Sequence, residues 1–214
     1  TGPDILIRKL DPDGALAAAI PIERVMGCVV HMGSMMLEPG VIRHVADNRL
    51  ILGEASGEAA DGVTDRVTEF AAAFVGTTLS ATVTDNLRQE IWLKLLGNFN
   101  FAPVSSLTGA TNGQIGGDPG LRKVCADLFE EAAAAGRCIG LEPGMTADER
   151  TTMGASLGNF RTSMLQDFDK SRPPEIDAIV GAVVEIGKVT GTPMPVSESI
   201  LSLLEQKARG MGLY

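Results

Sequence analysis

A chain of 214 residues with 44% hydrophobic and 21% charged side chains can bury a sizeable core, and its composition does not suggest disorder. Its formal charge of −9, without any run of Lys or Arg, argues against a nucleic-acid partner. The sequence has no apolar stretch of about eighteen residues and no basic-then-apolar leader, so we expect neither membrane insertion nor export. The three cysteines, an odd number without the spacing of a metal site, then fit a reduced, cytoplasmic protein.

The first part of the chain is predicted to be rich in β-structure. A short helix over residues 13–20 comes first and ends before a proline. The apolar run 25–30 is typical of a buried strand, while 41–45 and 49–53 alternate as half-buried strands do. Because residues 46–48 resemble a tight turn, we expect the last two strands to form an antiparallel hairpin.

Helical periodicity follows from about residue 58. A helix over 61–75 and a strand over 78–83 lead to a long helix, capped by Thr84 or Asp85, that Pro103 is expected to interrupt. Further helices are predicted over residues 118–138, 147–164, 175–190 and 198–209, with turns at 113–117, 170–174 and 191–195. The sequence therefore predicts a mainly α chain in which a β-rich part with an antiparallel hairpin, residues 1–83, precedes an all-helical part, residues 84–214.

Lys94 and Asn98 are the first pair that could carry chemistry. They stand four residues apart in the segment 91–103, and on a helix they share one face. A cation beside a neutral amide can polarise a carbonyl group and then protonate it. The same spacing also suits an exposed lysine and an asparagine near a helix end.

Ser163 and Glu175 form the second candidate pair. Ser163 is expected at the end of a helix, and Glu175 opens the next helix, where the helix dipole favours a carboxylate. A backbone-bonding hydroxyl and a carboxylate at a helix start would look the same. The two residues alone therefore do not decide between a structural and a functional role.

Taken together, these segments resemble the signature of the ketopantoate reductase family. The resemblance rests on residues 91–103, 162–167 and 172–177, with further agreement at 38–41 with His44, at 52–54 and at 191–195. It spans nearly the whole chain. Several separated motifs in the right order are more specific than any one of them.

The resemblance implies that residues 84–214 form a helical substrate-binding domain of the 6-phosphogluconate-dehydrogenase C-terminal-like type. Residues 1–83 would then be the last part of a Rossmann-type dinucleotide-binding domain. The implied reaction is NADPH-dependent reduction of 2-dehydropantoate to pantoate, in pantothenate and coenzyme A biosynthesis. The Gly-x-Gly-x-x-Gly turn of the family is expected about a hundred residues upstream of residue 1, so this chain alone should be inactive and should not bind NADP tightly.

The resemblance also assigns roles to the candidate residues. Lys94 matches the catalytic lysine, and Glu175 matches the glutamate that bonds the substrate hydroxyl and helps to position Lys94. Asn98 would orient the substrate, and Ser163 would lie near its carboxylate. We expect Lys94 and Glu175 to converge on one cavity, and we expect no metal site, since His44 has no acidic or thiol partner nearby.

Two departures from the family pattern leave alternatives open. Ala102 and Val180 stand where family members often carry Asn, and the loss of either amide could remove a hydrogen bond to substrate. They motivate one alternative, a reductase for another 2-oxo acid. A second alternative is a noncatalytic helical module in which residues 175–190 form a homodimer face. The choice between NADPH and NADH and the oligomeric state are left open.

Overall fold

The computed structural model describes residues 7–56 and 64–214. The chain divides into two compact units, of which one comprises Ala15–Ile91. The other comprises Trp92–Tyr214 with the described part of the first fourteen residues. The predicted fold class, mainly α with a hairpin in a small sheet, is confirmed. Within the described ranges, no helix has both the length and the apolar character needed to cross a membrane.

The first unit is built around a three-stranded sheet. Its elements are α1 (Ala15–Ala19), a 3₁₀ turn (Ile22–Arg24), β1 (Met26–Glu38), β2 (Val41–Glu54), α2 (Asp65–Ala72) and β3 (Ser80–Val83). The strand order is β1-β2-β3, with β1 antiparallel and β3 parallel to β2. Val29, Ile51 and Leu87 form its small buried cluster. The predicted helix over 61–75 begins partly outside the described residues.

The hairpin joins strands other than those predicted. Its turn lies at residues 39–40, where Gly40 has a φ of +84°, and β2 runs without a break across residues 46–48. The pairing His31↔Arg49 gives way to Gly33↔Ala46, so two residues of β2 stand opposite one residue of β1. The predicted turn at 46–48 is therefore wrong, and this segment is a β-bulge.

Side-chain bonds explain why the bulge forms at Asp47 and Asn48. Asp47 has a φ of +57°, and its carboxylate accepts a bond of 2.8 Å from the backbone N–H of Asn48. The Asn48 amide donates to the carbonyl of Thr78 at 2.6 Å, and the His44 ring contacts the carbonyl of Asp47. Asp and Asn side chains make the same kind of backbone bond in tight turns. Here they stabilise a bulge instead, because β2 continues beyond it.

The second unit is helical. Its elements are α3 (Leu87–Thr108, which begins in the first unit), α4 (Asn112–Gly117), α5 (Pro119–Arg137), α6 (Ala147–Ala155), α7 (Ser163–Asp169), a π-helical turn (Asp177–Gly181), α8 (Ala182–Thr190) and α9 (Pro195–Gly210). One apolar core unites these helices, and its most buried members include Trp92, Phe99, Phe129, Ile176 and Leu204.

Helix α3 differs from its prediction at both ends. Asn86 caps it, since its side chain accepts a bond of 3.2 Å from the N–H of Gln89, so the predicted cap at Thr84 or Asp85 is wrong. The helix also continues through Pro103 to Thr108. Proline costs about 3 kcal/mol in a helix interior, but the residues around it are buried in the core, and their packing outweighs that cost.

Two further helix predictions need correction. Residues 113–117 are not a turn but belong to α4, which Thr111 and Gln114 start with a capping box. The predicted helix over 147–164 is two helices, separated where Gly158 adopts a φ of +59°. Ser163 therefore begins α7 rather than ending a helix.

Two aromatic rings of α3 lie against glycines of neighbouring helices. A Cβ at Gly136 of α5 would lie 2.5 Å from the Trp92 ring, and one at Gly154 of α6 would lie 2.2 Å from the Phe101 ring. A residue with a Cβ at either glycine position would clash with the ring, so each glycine leaves the space that the ring occupies. These two contacts, which we call the glycine notches, fix α3 against α5 and α6.

Candidate active site

Lys94 and Asn98 lie on the outer side of α3. Trp92, Leu96 and Phe99 point into the core, whereas Lys94 is half-buried and Asn98 is exposed. The two residues are one helical turn apart, as their spacing predicted. This pair is therefore presented on a helix whose opposite face is anchored.

A half-buried arginine that the sequence analysis missed, Arg150, lies beside this turn. The Arg150 guanidinium donates to the carbonyl of Gly97 at 3.1 Å, and a Cβ at Gly97 would lie 2.6 Å from that guanidinium. Its Nε is buried without a hydrogen-bond partner, and burial lowers the pKa of the side chain. Gly97 thus admits Arg150 next to Asn98, a relation between distant residues that no local motif signals.

Glu175 lies two residues before the π-helical turn, which begins at Asp177. Its side chain is exposed, and its carbonyl accepts a bond of 3.1 Å from the N–H of Ile179. The N–H of Ala182 donates to the carbonyl of Asp177, five residues back, which is the bond that defines a π turn. Such single turns occur often at functional sites.

Ser163 is the first residue of α7, and its side chain is exposed. Thr162 caps the helix by accepting a bond of 3.4 Å from Leu165 N–H. Met164 and Ile176, the neighbours of Ser163 and Glu175, enter the same core as Trp92. The structure thus joins Lys94 and Asn98 within one turn and places Ser163 and Glu175 at the starts of two other helical segments of that core.

Two cavities stand out, and none of the four candidate residues lines either. One, of about 540 Å³, lies in the helical unit and is lined by Arg8, Lys9, Pro12, Asp177, Gly181, Val184, Glu185, Lys188 and Leu201. The other, of about 320 Å³, lies in the sheet unit and is formed by Asn48 and residues of the segment 71–81. Convergence of Lys94 and Glu175 on one cavity stays a prediction.

Ala102 and Val180, the departures from the family pattern, are core residues. Their side chains are 3% and 0% exposed. Asn100 is also fully buried, and both polar atoms of its amide lack a hydrogen-bond partner. Asn112 is 3% exposed and donates to the carbonyl of Gly154 at 3.2 Å, while its amide oxygen has no partner. In a sequence, an asparagine within an apolar helical segment is the signal that indicates a buried amide group of this kind.

The glycines of α4 serve helix packing rather than phosphate binding. A Cβ at Gly116 would lie 2.2 Å from the Cβ of Ala155, and one at Gly113 would lie 3.0 Å from the carbonyl of Gly158. The segment follows a helix, whereas a nucleotide-binding turn follows a strand. Residues 7–56 and 64–214 also contain no cluster of three or more His, Cys, Asp or Glu side chains suited to a metal ion.

Comparison with known proteins found a matching family model and similar sequences. The sequence model described as ketopantoate reductase PanE/ApbA C terminal matches residues 86–208, more than half of the chain. A 2-dehydropantoate 2-reductase of Mesorhizobium japonicum is 40% identical over 208 residues, which cover 97% of this chain and 63% of that protein.

Two solved structures are also similar. One from Ralstonia solanacearum MolK2, provisionally named a ketopantoate reductase, has a TM-score of 0.92 and 40% identity and covers 100% of this chain and 64% of its own. The 2-dehydropantoate 2-reductase of Geobacter metallireducens GS-15 has a TM-score of 0.80 and 30% identity, with 90% and 64% covered. The chain thus spans somewhat less than two thirds of the length of these relatives.

Proposed function

Because this chain belongs to the ketopantoate reductase family, we propose that the protein containing it reduces 2-dehydropantoate to pantoate with NADPH. The reaction would serve pantothenate and coenzyme A biosynthesis in the cytoplasm. The match to the family over residues 86–208, which include all four candidate residues, carries the proposal. Residues 1–83 would contribute the end of the dinucleotide-binding domain, and 84–214 the substrate-binding domain.

The described residues lack one part of a nucleotide site. They contain no glycine-rich turn between a strand and a helix that could hold a pyrophosphate. When bound, the nicotinamide would supply the hydride. We therefore expect the chain by itself to bind NADPH poorly, and a dissociation constant near micromolar in a titration of this chain would contradict that expectation.

Lys94 would act on the carbonyl oxygen of the substrate. Its ammonium group polarises the C=O bond and gives a proton to that oxygen as negative charge develops there. Asn98, one turn along α3, would donate from its amide to the same ligand. The half-buried position of Lys94 and the exposed position of Asn98 support this assignment, because neither side chain is enclosed in the core.

Glu175 and Ser163 would hold the rest of the substrate. The Glu175 carboxylate accepts a hydrogen bond from the substrate hydroxyl and helps to orient Lys94, and the Ser163 hydroxyl donates to the substrate carboxylate. Both side chains are exposed at the start of a helical segment whose next residue is buried. Buried neighbours fix the backbone at each residue, which favours a defined side-chain position.

Turnover of the intact protein tests the assignment. Lys94→Ala should lower kcat for NADPH-dependent ketopantoate reduction by about 10²- to 10⁴-fold, because it removes the proton donor. Lys123→Ala is the matched control, since Lys123 is an exposed helical lysine whose ion pair with Asp127 lies within α5. Near-normal turnover of Lys94→Ala would exclude the proposed role.

The substrate and the assembly can be tested on the same protein. Ala102 and Val180 are both buried, so having no Asn at these positions does not change the exposed surface of this chain. A preference for less hydroxylated 2-oxo acids over ketopantoate would nevertheless favour the alternative reductase. A homodimer stays a prediction that sedimentation can test, but the predicted face over 175–190 places Ile179, Val183 and Ile186 in the core of its own chain.

A further inference from the structure

A polar cluster joins the described N-terminal segment to the C-terminal residue of the chain. The Lys9 ammonium group donates to Asp177 at 2.7 Å, and the Tyr214 hydroxyl donates to the same carboxylate oxygen at 2.8 Å. Glu205 completes the group, with Lys9 at 3.4 Å and the Tyr214 hydroxyl at 3.3 Å. We call these four residues the Lys9 cluster.

Residues outside the Lys9 cluster also hold its members in place. The backbone N–H groups of Arg8 and Lys9 donate to the two carboxylate oxygens of Glu185 at 3.0 and 2.9 Å, which fixes the segment that carries Lys9. Arg209 pairs with Glu205 at 2.9 Å. Bonding to Asp177 raises the pKa of Lys9, so the ammonium form persists throughout the physiological range.

Asp177 is the first residue of the π turn and lies two residues after Glu175. A π turn contains one residue more than the α-helical turn it replaces. If it relaxed to regular α-helix, the residues before it would shift by one position, which is a rotation of about 100° and a rise of about 1.5 Å. The direction of the Glu175 side chain therefore depends on whatever keeps the π turn in place.

Contacts on two sides hold this turn. Ile176 and Val180 are fully buried on the apolar side, and Asp177 is held by Lys9 and Tyr214 on the polar side. Gly181 closes the turn beneath that carboxylate, because a Cβ there would lie only 3.1 Å from the Asp177 oxygen. The ion pair of Lys9 with Asp177 adds a directional contact on the polar side of the turn, which the apolar contacts do not supply.

We propose that Asp177, Lys9 and Tyr214 are positioning residues that hold the π turn in register and thereby aim Glu175 at the substrate. The proposal rests on the proposed reductase function for its catalytic part. Its structural part, that the Lys9 cluster stabilises the π turn, stands independently. None of the three residues has to contact the substrate.

A double-mutant cycle in the intact protein tests the catalytic part. Asp177→Asn and Tyr214→Phe should each lower kcat/KM for ketopantoate by roughly 10- to 100-fold, because a misplaced catalytic group costs that much. In a Glu175→Gln background the same changes should have less than about a twofold further effect, since there is no carboxylate left to aim. Equal losses in both backgrounds would overturn the proposal.

Two variants separate positioning from general damage. Lys9→Arg keeps the cation and should retain most of the activity, whereas Lys9→Met should behave as Asp177→Asn does. Asp127→Asn breaks the Lys123 pair of 2.6 Å on α5, an exposed bond of the same kind outside the cluster, and should leave kcat/KM unchanged. A loss in Asp127→Asn as large as that in Asp177→Asn would also overturn the proposal.

Amide hydrogen exchange of this chain tests the structural part even if the intact protein reduces no 2-oxo acid. Such inactivity would refute the proposed function but would not touch the register of the turn. Tyr214→Phe, which keeps the ring, should speed exchange of the amides of residues 179–182 by at least about tenfold, with α5 unchanged. Unchanged exchange at 179–182 would overturn the proposal.

Discussion

Glu131 of α5 caps a helix that lies 65 residues later in the chain. Its carboxylate accepts from the N–H of Val196 at 2.9 Å, from the N–H of Ser197 at 2.8 Å and from the Ser197 hydroxyl at 2.6 Å. Met194, at the N-cap position of α9, makes no side-chain capping bond. We therefore predict that Glu131→Ala will destabilise the helical unit strongly.

The size of the effect follows from what is left unpaired. Ser197 is fully buried, so its N–H and hydroxyl cannot turn to water when the carboxylate is removed. Loss of a helix cap costs about 0.5–2 kcal/mol, and a hydrogen bond to a charged group contributes about 1.5–3 kcal/mol. Because the three bonds share one carboxylate and are not additive, we expect about 2–4 kcal/mol in all.

Urea unfolding followed by fluorescence of Trp92, the only tryptophan, measures the free energy of unfolding of the helical unit. Glu130→Ala is the control, because Glu130 is the exposed neighbour on the same helix and should change stability by less than about 0.5 kcal/mol. Glu131→Gln keeps one acceptor and should fall between the two. If Glu131→Ala and Glu130→Ala unfolded at the same urea concentration, the carboxylate would not be a cap.

Three further predictions concern other parts of the molecule. Hydrogen bonds from Arg66 and then Thr64 lower the pKa of Glu54 from 4.5 to about 2. The stabilising contribution of Glu54 is therefore complete above about pH 4.5 and is lost as the pH falls toward 2. In Glu54→Gln, the unfolding midpoint should depend less on pH over that range. Burial raises the pKa of the Cys125 thiol to about 12, so a thiol reagent at neutral pH should label the two exposed cysteines of the native chain and reach Cys125 only after unfolding, and rapid native labelling of all three would contradict this. Gly136→Ala should cost about 1–3 kcal/mol and shift Trp92 emission, and an unaltered spectrum and stability would show that the notch tolerates a methyl group.

Local chemistry made several elements predictable. The pair Asp118 and Pro119 predicted the start of α5, and the Asp118 side chain does accept from Leu121 N–H at 2.9 Å. Gly191, with a φ of +71°, ends α8 where the predicted turn over residues 191–195 begins. Such signals depend only on residues a few positions apart, so the sequence alone reveals them.

Predictions failed where distant residues decide the outcome. Asp47 and Asn48 have the composition of a tight turn, but the pairing of β1 with the whole of β2 makes them a bulge. Pro103 would end an isolated helix, but the core holds both sides of it in α3. The π turn after Glu175 is equally invisible in the sequence, because tertiary contacts of Asp177 and the core determine the extra residue.

The candidate site was predictable in part. The spacing of Lys94 and Asn98 indicated a shared helical face, and the structure shows one. Arg150 could not be found in this way, since its contact with Gly97 joins residues 53 positions apart. The chemical roles of Lys94, Asn98, Ser163 and Glu175 stay predictions until the intact protein is assayed.

The glycine notches hold α3 at two points along its axis. Trp92 and Phe101 are nine positions apart, or about 13 Å along a helix axis, and Lys94 and Asn98 lie between them. Sliding α3 by one turn, or twisting it, would drive both rings into side chains at once. The two contacts therefore oppose a slide or a twist of α3 against α5 and α6, and they hold the stretch of α3 that carries Lys94 and Asn98 at both ends.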